Sequence, residues 1–101
     1  MNWEEIRKKN PKAVNKMENW LNETKHHFVK KGQERLLYDF FDENDIFVEI
    51  SIDKVDGWFY DIFGCYNDGN TFTIAENSKY LTRPKAETAA FEKAFEILEN
   101  K

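Results

Sequence analysis

The side chains that could carry acid–base, thiol or metal chemistry are few in this sequence, and their spacing favours none of those reactions. His26 and His27 are adjacent, and because neighbouring side chains on most backbones point apart, they predict a titrating surface pair rather than two ligands of one metal ion. Cys65 could pair with either imidazole, but no residue in the sequence would orient such a pair. Asp42 and Asp45 could hold a cation, although loop solubility explains their presence equally well.

Motifs for nucleotide binding and covalent catalysis are absent from the sequence. It contains no glycine-rich phosphate loop, no zinc-ligand spacing and no nucleophile motif. Of the 4 glycines, two belong to Asp-Gly turns, which leaves no backbone cradle for a phosphate. We therefore expect a protein that is not an enzyme and that uses neither a cofactor nor a metal ion.

The composition is that of one small folded domain. A chain of 101 residues can bury a modest core, and an aromatic content of 16% argues against disorder. No apolar run is long enough to span a bilayer, and no basic-then-apolar leader opens the sequence. Together with a single cysteine, these features predict a cytoplasmic protein that does not bind membranes.

The net charge of -4 conceals two segments of opposite sign. Residues 36–68 hold nine acidic residues against Lys54 alone. Residues 1–35 hold five acidic residues and nine basic ones, namely Arg7, Lys8, Lys9, Lys12, Lys16, Lys25, Lys30, Lys31 and Arg35. Either segment could steer a charged partner, and the alternative is that both are solvated surfaces.

Residues 46–76 are predicted to form three short strands joined by two Asp-Gly turns. Apolar side chains alternate along the two longer strands, which is the period of a half-buried strand. A three-residue loop with Gly57 in the left-handed conformation would pair Ile50 with Ile62 and place both apolar rows on one face. A two-residue turn would instead bring a charge into the apolar row, so burial favours the longer loop.

The second turn predicts the same loop length. With Gly69 left-handed, Tyr66 would pair with Asn70 and Gly64 would face Phe72. The ring of Phe72 would then cover the gap beside the glycine. Two loops that agree on one apolar face predict an antiparallel meander.

The opposite face of this sheet carries an unusual set of residues. Three aromatic side chains, Phe47, Phe59 and Phe63, lie beside the acidic Glu49 and Asp61. A second helix could cover the aromatic rings, since large exposed apolar patches are uncommon. The alternative is a surface of aromatic residues with acidic neighbours that binds another protein.

Two amphipathic helices are predicted before the sheet in the first part of the chain. Asn2 is placed to cap a short helix. Asn10 is placed to cap a longer one, which begins at Pro11 and runs to about Glu23 with apolar residues at three- and four-residue steps.

A further helix is predicted from Gln33 to about Asp42, and the last helix begins after Thr82 as its N-cap. The fold class is therefore α+β, a three-stranded antiparallel meander with helices packed on it in the order α-α-β-β-β-α. We expect one domain over residues 1–101, with 1–32 as a helical extension and 33–101 as the core.

The order of helix, three antiparallel strands and helix from Glu34 to Asn100, together with the alanine-rich stretch from Arg83 to Leu98, resembles the double-stranded RNA-binding domain. The resemblance implies that two helices pack on one face of the sheet. It also implies RNA contacts from basic residues at the start of the last helix, where Arg83 and Lys85 stand. Glu87 follows them where the family has lysine, and the first loop has no histidine. The acidic middle of the chain opposes binding to phosphates.

A second resemblance lies in the stretch from Arg35 to Asp42, followed by a strand and by the pattern from Ala86 to Leu98. These segments look like small uncharacterised proteins of phages and mobile elements in Bacteroides-like bacteria. That resemblance implies a bacterial cytosolic setting.

The sequence favours a small non-enzymatic binding or regulatory protein whose partner is another protein. The candidate binding residues are Phe47, Glu49, Phe59, Asp61 and Phe63. The alternative function is nucleic-acid binding through the basic first third of the chain.

Overall fold

The structure is a computed structural model, and it describes residues 1–23, 36–75 and 79–101. Within these ranges the chain forms four helices and one sheet of three strands. The elements are α1 (Trp3–Lys9), α2 (Pro11–Glu23), α3 (Leu36–Glu43), β1 (Ile46–Asp53), β2 (Gly57–Cys65), β3 (Thr71–Ala75) and α4 (Arg83–Glu99). The predicted α+β class and the antiparallel meander are confirmed. The predicted start of the third helix at Gln33 lies outside the described residues.

Side chains cap the helices largely where the sequence predicts them. Asn2 Oδ1 accepts a hydrogen bond from the Glu5 N–H at 3.1 Å, which satisfies a free donor in the first turn of α1. Thr82 caps α4 in the same way through Lys85 N–H at 3.4 Å. At α2, the Asn10 carbonyl accepts the first helical bond, from Val14 N–H.

The sheet has the order β1-β2-β3, so β2 lies in the centre. In the first hairpin Ile50 pairs with Tyr60, and the predicted pairing of Ile50 with Ile62 is wrong by two residues. A shift of two residues leaves every side chain on its face, so the alternation of apolar residues cannot detect it. Both isoleucines lie on the same face of the sheet, as predicted.

The first loop explains the shift. Asp53 pairs with Gly57, and its carboxylate accepts hydrogen bonds from the N–H groups of Val55 at 2.8 Å and Asp56 at 3.4 Å. These bonds close a three-residue loop one position earlier than predicted. Gly57 has a φ of 105°, so it does adopt the positive φ predicted for it.

The second hairpin has the predicted register. Gly64 pairs with Phe72, and the Tyr66 N–H donates to the Asn70 carbonyl at 2.7 Å, with Gly69 at a φ of 89°. After β3 the chain returns to the same edge of β2.

At that point Tyr80 and Trp58 exchange two backbone hydrogen bonds, of 2.9 and 2.7 Å. The edge of β2 beyond β3 is therefore occupied by the segment that leads into α4.

The core lies between one face of the sheet and helices α3 and α4. Ile46 and Ile62 of the sheet are fully buried, as are Phe41 of α3 and Phe91 and Phe95 of α4. The Phe41 ring lies 5.0 Å from that of Phe95 and 6.1 Å from that of Phe91. Burial of such rings contributes about 1.5–3 kcal/mol each, so this cluster contributes substantially to stability.

Helices α1 and α2 pack on each other and on α4. They add Ile6, Val14, Met17 and Leu21 to the same continuous core. None of the helices in the described ranges has the length and hydropathy needed to cross a bilayer.

Candidate functional site

The five residues proposed from the sequence as a binding surface all lie on the face of the sheet that points away from α3 and α4. The strand register sets Phe47 opposite Phe63 and Glu49 opposite Asp61, with Phe59 opposite a serine. These positions alternate with the core-facing positions of β1 and β2, so the pleat of the sheet brings them together. We call the surface formed by these five residues the open face.

Helices α1 and α2 do not cover the open face. They pack against α4, and the helices that contact the sheet extensively are α3 and α4, on its other side. The core includes none of the five residues, and Phe63 is 39% exposed. The described helices therefore do not supply the cover that the sequence left open as an alternative.

The aromatic side chains of the open face lie in two places. The rings of Phe47 and Phe63 stack with centroids 5.6 Å apart and an interplanar angle of 26°. Farther along the strands, the Lys79 ammonium nitrogen lies 4.2 Å from the centroid of the Phe59 ring, a favourable cation–π distance. The position of Lys79 on this face could not be predicted from the sequence, because it depends on the pairing of Tyr80 with Trp58.

Between the two aromatic groups lie two carboxylates directly opposite each other. Glu49 is exposed and Asp61 half-buried, and like charges at opposed positions of an antiparallel pair destabilise a sheet. In the parts of the chain that the structure describes, neither carboxylate forms an ion pair. On the next strand Asp61 faces Ala75, which carries no charge. The pair therefore presents negative charge, and the ammonium group of Lys79 lies over the neighbouring Phe59 ring.

The open face thus has three rows, with the stacked rings of Phe47 and Phe63 first, the carboxylates second, and Phe59 with Lys79 third. Consecutive rows are two residues apart along the strands, or about 7 Å at a rise of about 3.4 Å per residue. The surface is therefore a strip about 14 Å long, with stacked rings at one end, negative charge in the middle, and the Phe59 ring with the Lys79 ammonium at the other end.

Within the described residues the structure does not assemble the metal site considered from the sequence. Within the described ranges no three His, Cys, Asp or Glu side chains lie where they could hold one metal ion. Partial burial and the nearby charge of Asp39 raise the pKa of Asp42. His26 and His27 lie outside the described residues, so the predicted surface pair of histidines stays a prediction.

The basic residues of the nucleic-acid alternative are partly compensated by acidic neighbours. On α1, Arg7 forms an ion pair with Glu18 at 2.6 Å and Lys9 forms one with Glu5 at 3.0 Å. At the start of α4, Arg83 lies 4.0 Å from a carboxylate oxygen of its neighbour Glu87. Lys25, Lys30, Lys31 and Arg35 lie outside the described residues.

A scan against models of protein families finds no match, and searches of curated proteins and of solved structures find no significant match.

Proposed function

We propose that the protein is a small non-enzymatic binding protein, and that its open face binds a segment of another protein with one basic residue between apolar ones. The observation that carries the proposal is the pair of opposed carboxylates, Glu49 and Asp61, flanked on both sides by aromatic rings.

In the free protein, placing Glu49 opposite Asp61 costs free energy because the two charges repel, and no described residue forms an ion pair with either carboxylate. An arginine or lysine of a partner would lie between the two carboxylates and form charge-assisted hydrogen bonds with both. Binding would thereby relieve the repulsion, so the partner gains affinity from a feature that destabilises the free protein.

The aromatic side chains of the open face provide apolar contact area. Phe63 is exposed, and Phe59 and Phe47 are half-buried, so apolar side chains on either side of the basic residue would cover them. Aromatic residues are enriched among the positions that dominate binding energy at protein interfaces.

The spacing of the rows favours a helix as the bound segment. Residues four apart on one side of a helix are about 6 Å apart along its axis, close to the separation of about 7 Å between rows of the open face. An extended peptide would instead pair with a free strand edge. We therefore expect an apolar, a basic and a second apolar residue at successive four-residue steps.

The experiment is selection of binders from a random peptide library displayed on yeast. We expect the selected sequences to share a basic residue with apolar residues four positions before and after it. Their affinity should fall about tenfold or more for the Glu49→Gln/Asp61→Asn variant, because a buried basic group would lose its partners.

The matched control is Glu43→Gln/Asp56→Asn, which changes the net charge equally at exposed positions off the open face. Phe63→Ala tests the aromatic contribution against Val55→Ala at a loop tip that is 90% exposed. Selected peptides that bind the open-face and control variants equally well would show that the protein binds its partners elsewhere.

A further inference from the structure

A cleft of about 470 Å³ lies between α1 and α4, on the helical side of the sheet. Ile6 and Asn10 form its wall on the α1 side, Tyr60 of β2 reaches it from the sheet, and Ala89 lies on the α4 side. This volume is within the range of small-molecule sites, about 300–1,000 Å³. The cleft shares no residue with the open face.

Asn10 gives the cleft an inner polar group. It is 7% exposed and is the one polar residue in the buried set of the described chain. Its backbone N–H and carbonyl are both used, by Ile6 and Val14, but its side-chain amide forms no hydrogen bond with any described residue. The amide atoms of Asn10 are not among the fully buried atoms that lack a partner, so they keep contact with solvent at the cleft, and Asn10 can hydrogen-bond a polar group that enters it.

The rim of the cleft is acidic. Four carboxylates line it. Glu92 forms no ion pair with a described residue, Glu5 pairs with Lys9 at 3.0 Å, Glu96 pairs with Lys93 at 3.3 Å, and Glu99 accepts a hydrogen bond from Ala13 N–H. A hydrogen bond to Glu5 and the Glu5 charge raise the pKa of Lys9, and Glu92 and Glu96 add to the effect from the opposite helix. The carboxylates of α4 thus already favour an ammonium group at the mouth of the cleft.

We propose that this cleft binds a linear aliphatic polyamine. Glu92 and Glu96 are one turn apart on α4, about 6 Å along its axis, a separation that suits ammonium groups joined by a short alkyl chain. One ammonium group donates to Asn10 Oδ1 inside the cleft, and the methylene groups contact Ile6, Tyr60 and Ala89. The proposal does not depend on the function of the open face.

Spermidine is the probe, and isothermal titration calorimetry of the whole chain is the measurement. We expect saturable binding with one molecule per chain. Glu92→Gln/Glu96→Gln should weaken the binding about tenfold or more, because two charge-assisted hydrogen bonds are lost. The control Glu43→Gln/Asp56→Asn removes the same charge at exposed positions outside the cleft and should change the affinity less than about twofold.

The side-chain amide signals of Asn10 in a nitrogen–proton NMR spectrum provide a second readout, because they should move as spermidine is added. Equal weakening in both double variants would mean that spermidine binds to the overall acidic charge and would overturn the proposal. Absence of saturable binding to the unaltered protein, or Asn10 amide signals that stay in place at saturation, would also overturn it.

Discussion

Gly64 lies where β2 passes the end of α3 so closely that no side chain fits. A Cβ at this position would overlap the carbonyl oxygen of Asp45 and would come within 3.0 Å of the Phe72 ring. Asp45 itself has a φ of 58°, and its carbonyl accepts a hydrogen bond from Cys65 N–H at 3.1 Å. The glycine therefore permits the turn from α3 into β1 to pack directly on the sheet.

Replacing Gly64 with alanine should lower the free energy of unfolding by about 3 kcal/mol, because the backbone of Asp45 would have to move. Urea denaturation measures the change. Gly69→Ala is the comparison, since Gly69 has a positive φ, unlike Gly64, but no atom within 4 Å of an added Cβ. We expect it to cost only about 1 kcal/mol of backbone strain, and an equal loss at both positions would contradict the proposed overlap.

Tyr38 joins α3 to α4 through a hydrogen bond from its hydroxyl to Glu87 Oε2 at 2.6 Å. Burial, followed by the bond to Glu87 and its charge, raises the pKa of the Tyr38 hydroxyl well above its usual value. The folded state therefore holds this proton more tightly than the unfolded state, and the stabilisation is fully present below about pH 10 and decreases above it.

We expect Tyr38→Phe to reduce stability by about 1 kcal/mol at neutral pH, since the bond to Glu87 is lost. The difference from the unaltered protein should shrink as the pH rises above about 10, because only the unaltered protein loses the Tyr38 contribution. Denaturant titrations at several pH values measure both effects. Tyr66→Phe, at a tyrosine that is 48% exposed, is the control. If the stability difference between Tyr38→Phe and the unaltered protein stays constant with pH, the Tyr38 hydroxyl does not contribute in this way.

At the scale of elements, α2 is connected to the end of α4 by a carboxylate. Glu99 Oε1 accepts a hydrogen bond from the Ala13 N–H at 2.8 Å, in the first turn of α2. Negative charge is favourable at this end of a helix, so Glu99 of α4 caps the first turn of α2. The sequence predicts the start of α2 correctly from Asn10 and Pro11 but cannot show this contact.

Glu99→Ala should cost about 1 kcal/mol of stability and should speed hydrogen exchange at the start of α2 more than elsewhere. Glu99→Gln keeps an acceptor oxygen and should lose less. Glu23→Ala, at the exposed far end of the same helix, serves as the control. Unchanged exchange at Ala13 in Glu99→Ala would show that the bond does not hold the helix.

The strand pattern predicts which side chains share a face far better than it predicts which residues pair. The five open-face residues follow directly from the alternation of side chains between the two faces of a strand, because an even shift in register leaves each side chain on the same face. The pairing of Ile50 depends on the bonds of Asp53 to the loop, and such local bonds are not visible in the alternation. The cleft could not be predicted at all, since Asn10 and Tyr60 come together only through tertiary packing.

At the scale of the whole molecule, the sheet separates two surfaces that have different chemistry. One side carries aromatic rings and a pair of carboxylates that form no ion pair with a described residue. The other side carries the helices, and the cleft lies between α1 and α4. The acidic residues of the middle of the chain thus contribute to the open face. The rim of the cleft takes its carboxylates from α1 and α4, where the sequence is more evenly charged.

If Glu49 and Asp61 serve binding rather than folding, neutralising them should stabilise the free protein. We expect Glu49→Gln/Asp61→Asn to raise the free energy of unfolding by a few tenths to about 1 kcal/mol, because the opposed charges no longer repel. The gain should shrink as salt is added, since ions screen charges at the surface. Urea denaturation at low and high ionic strength measures it, with Glu43→Gln/Asp56→Asn as the control for net charge. A loss of stability in the open-face variant would mean that the two carboxylates support the sheet, and the argument for a basic partner would then lose its physical basis.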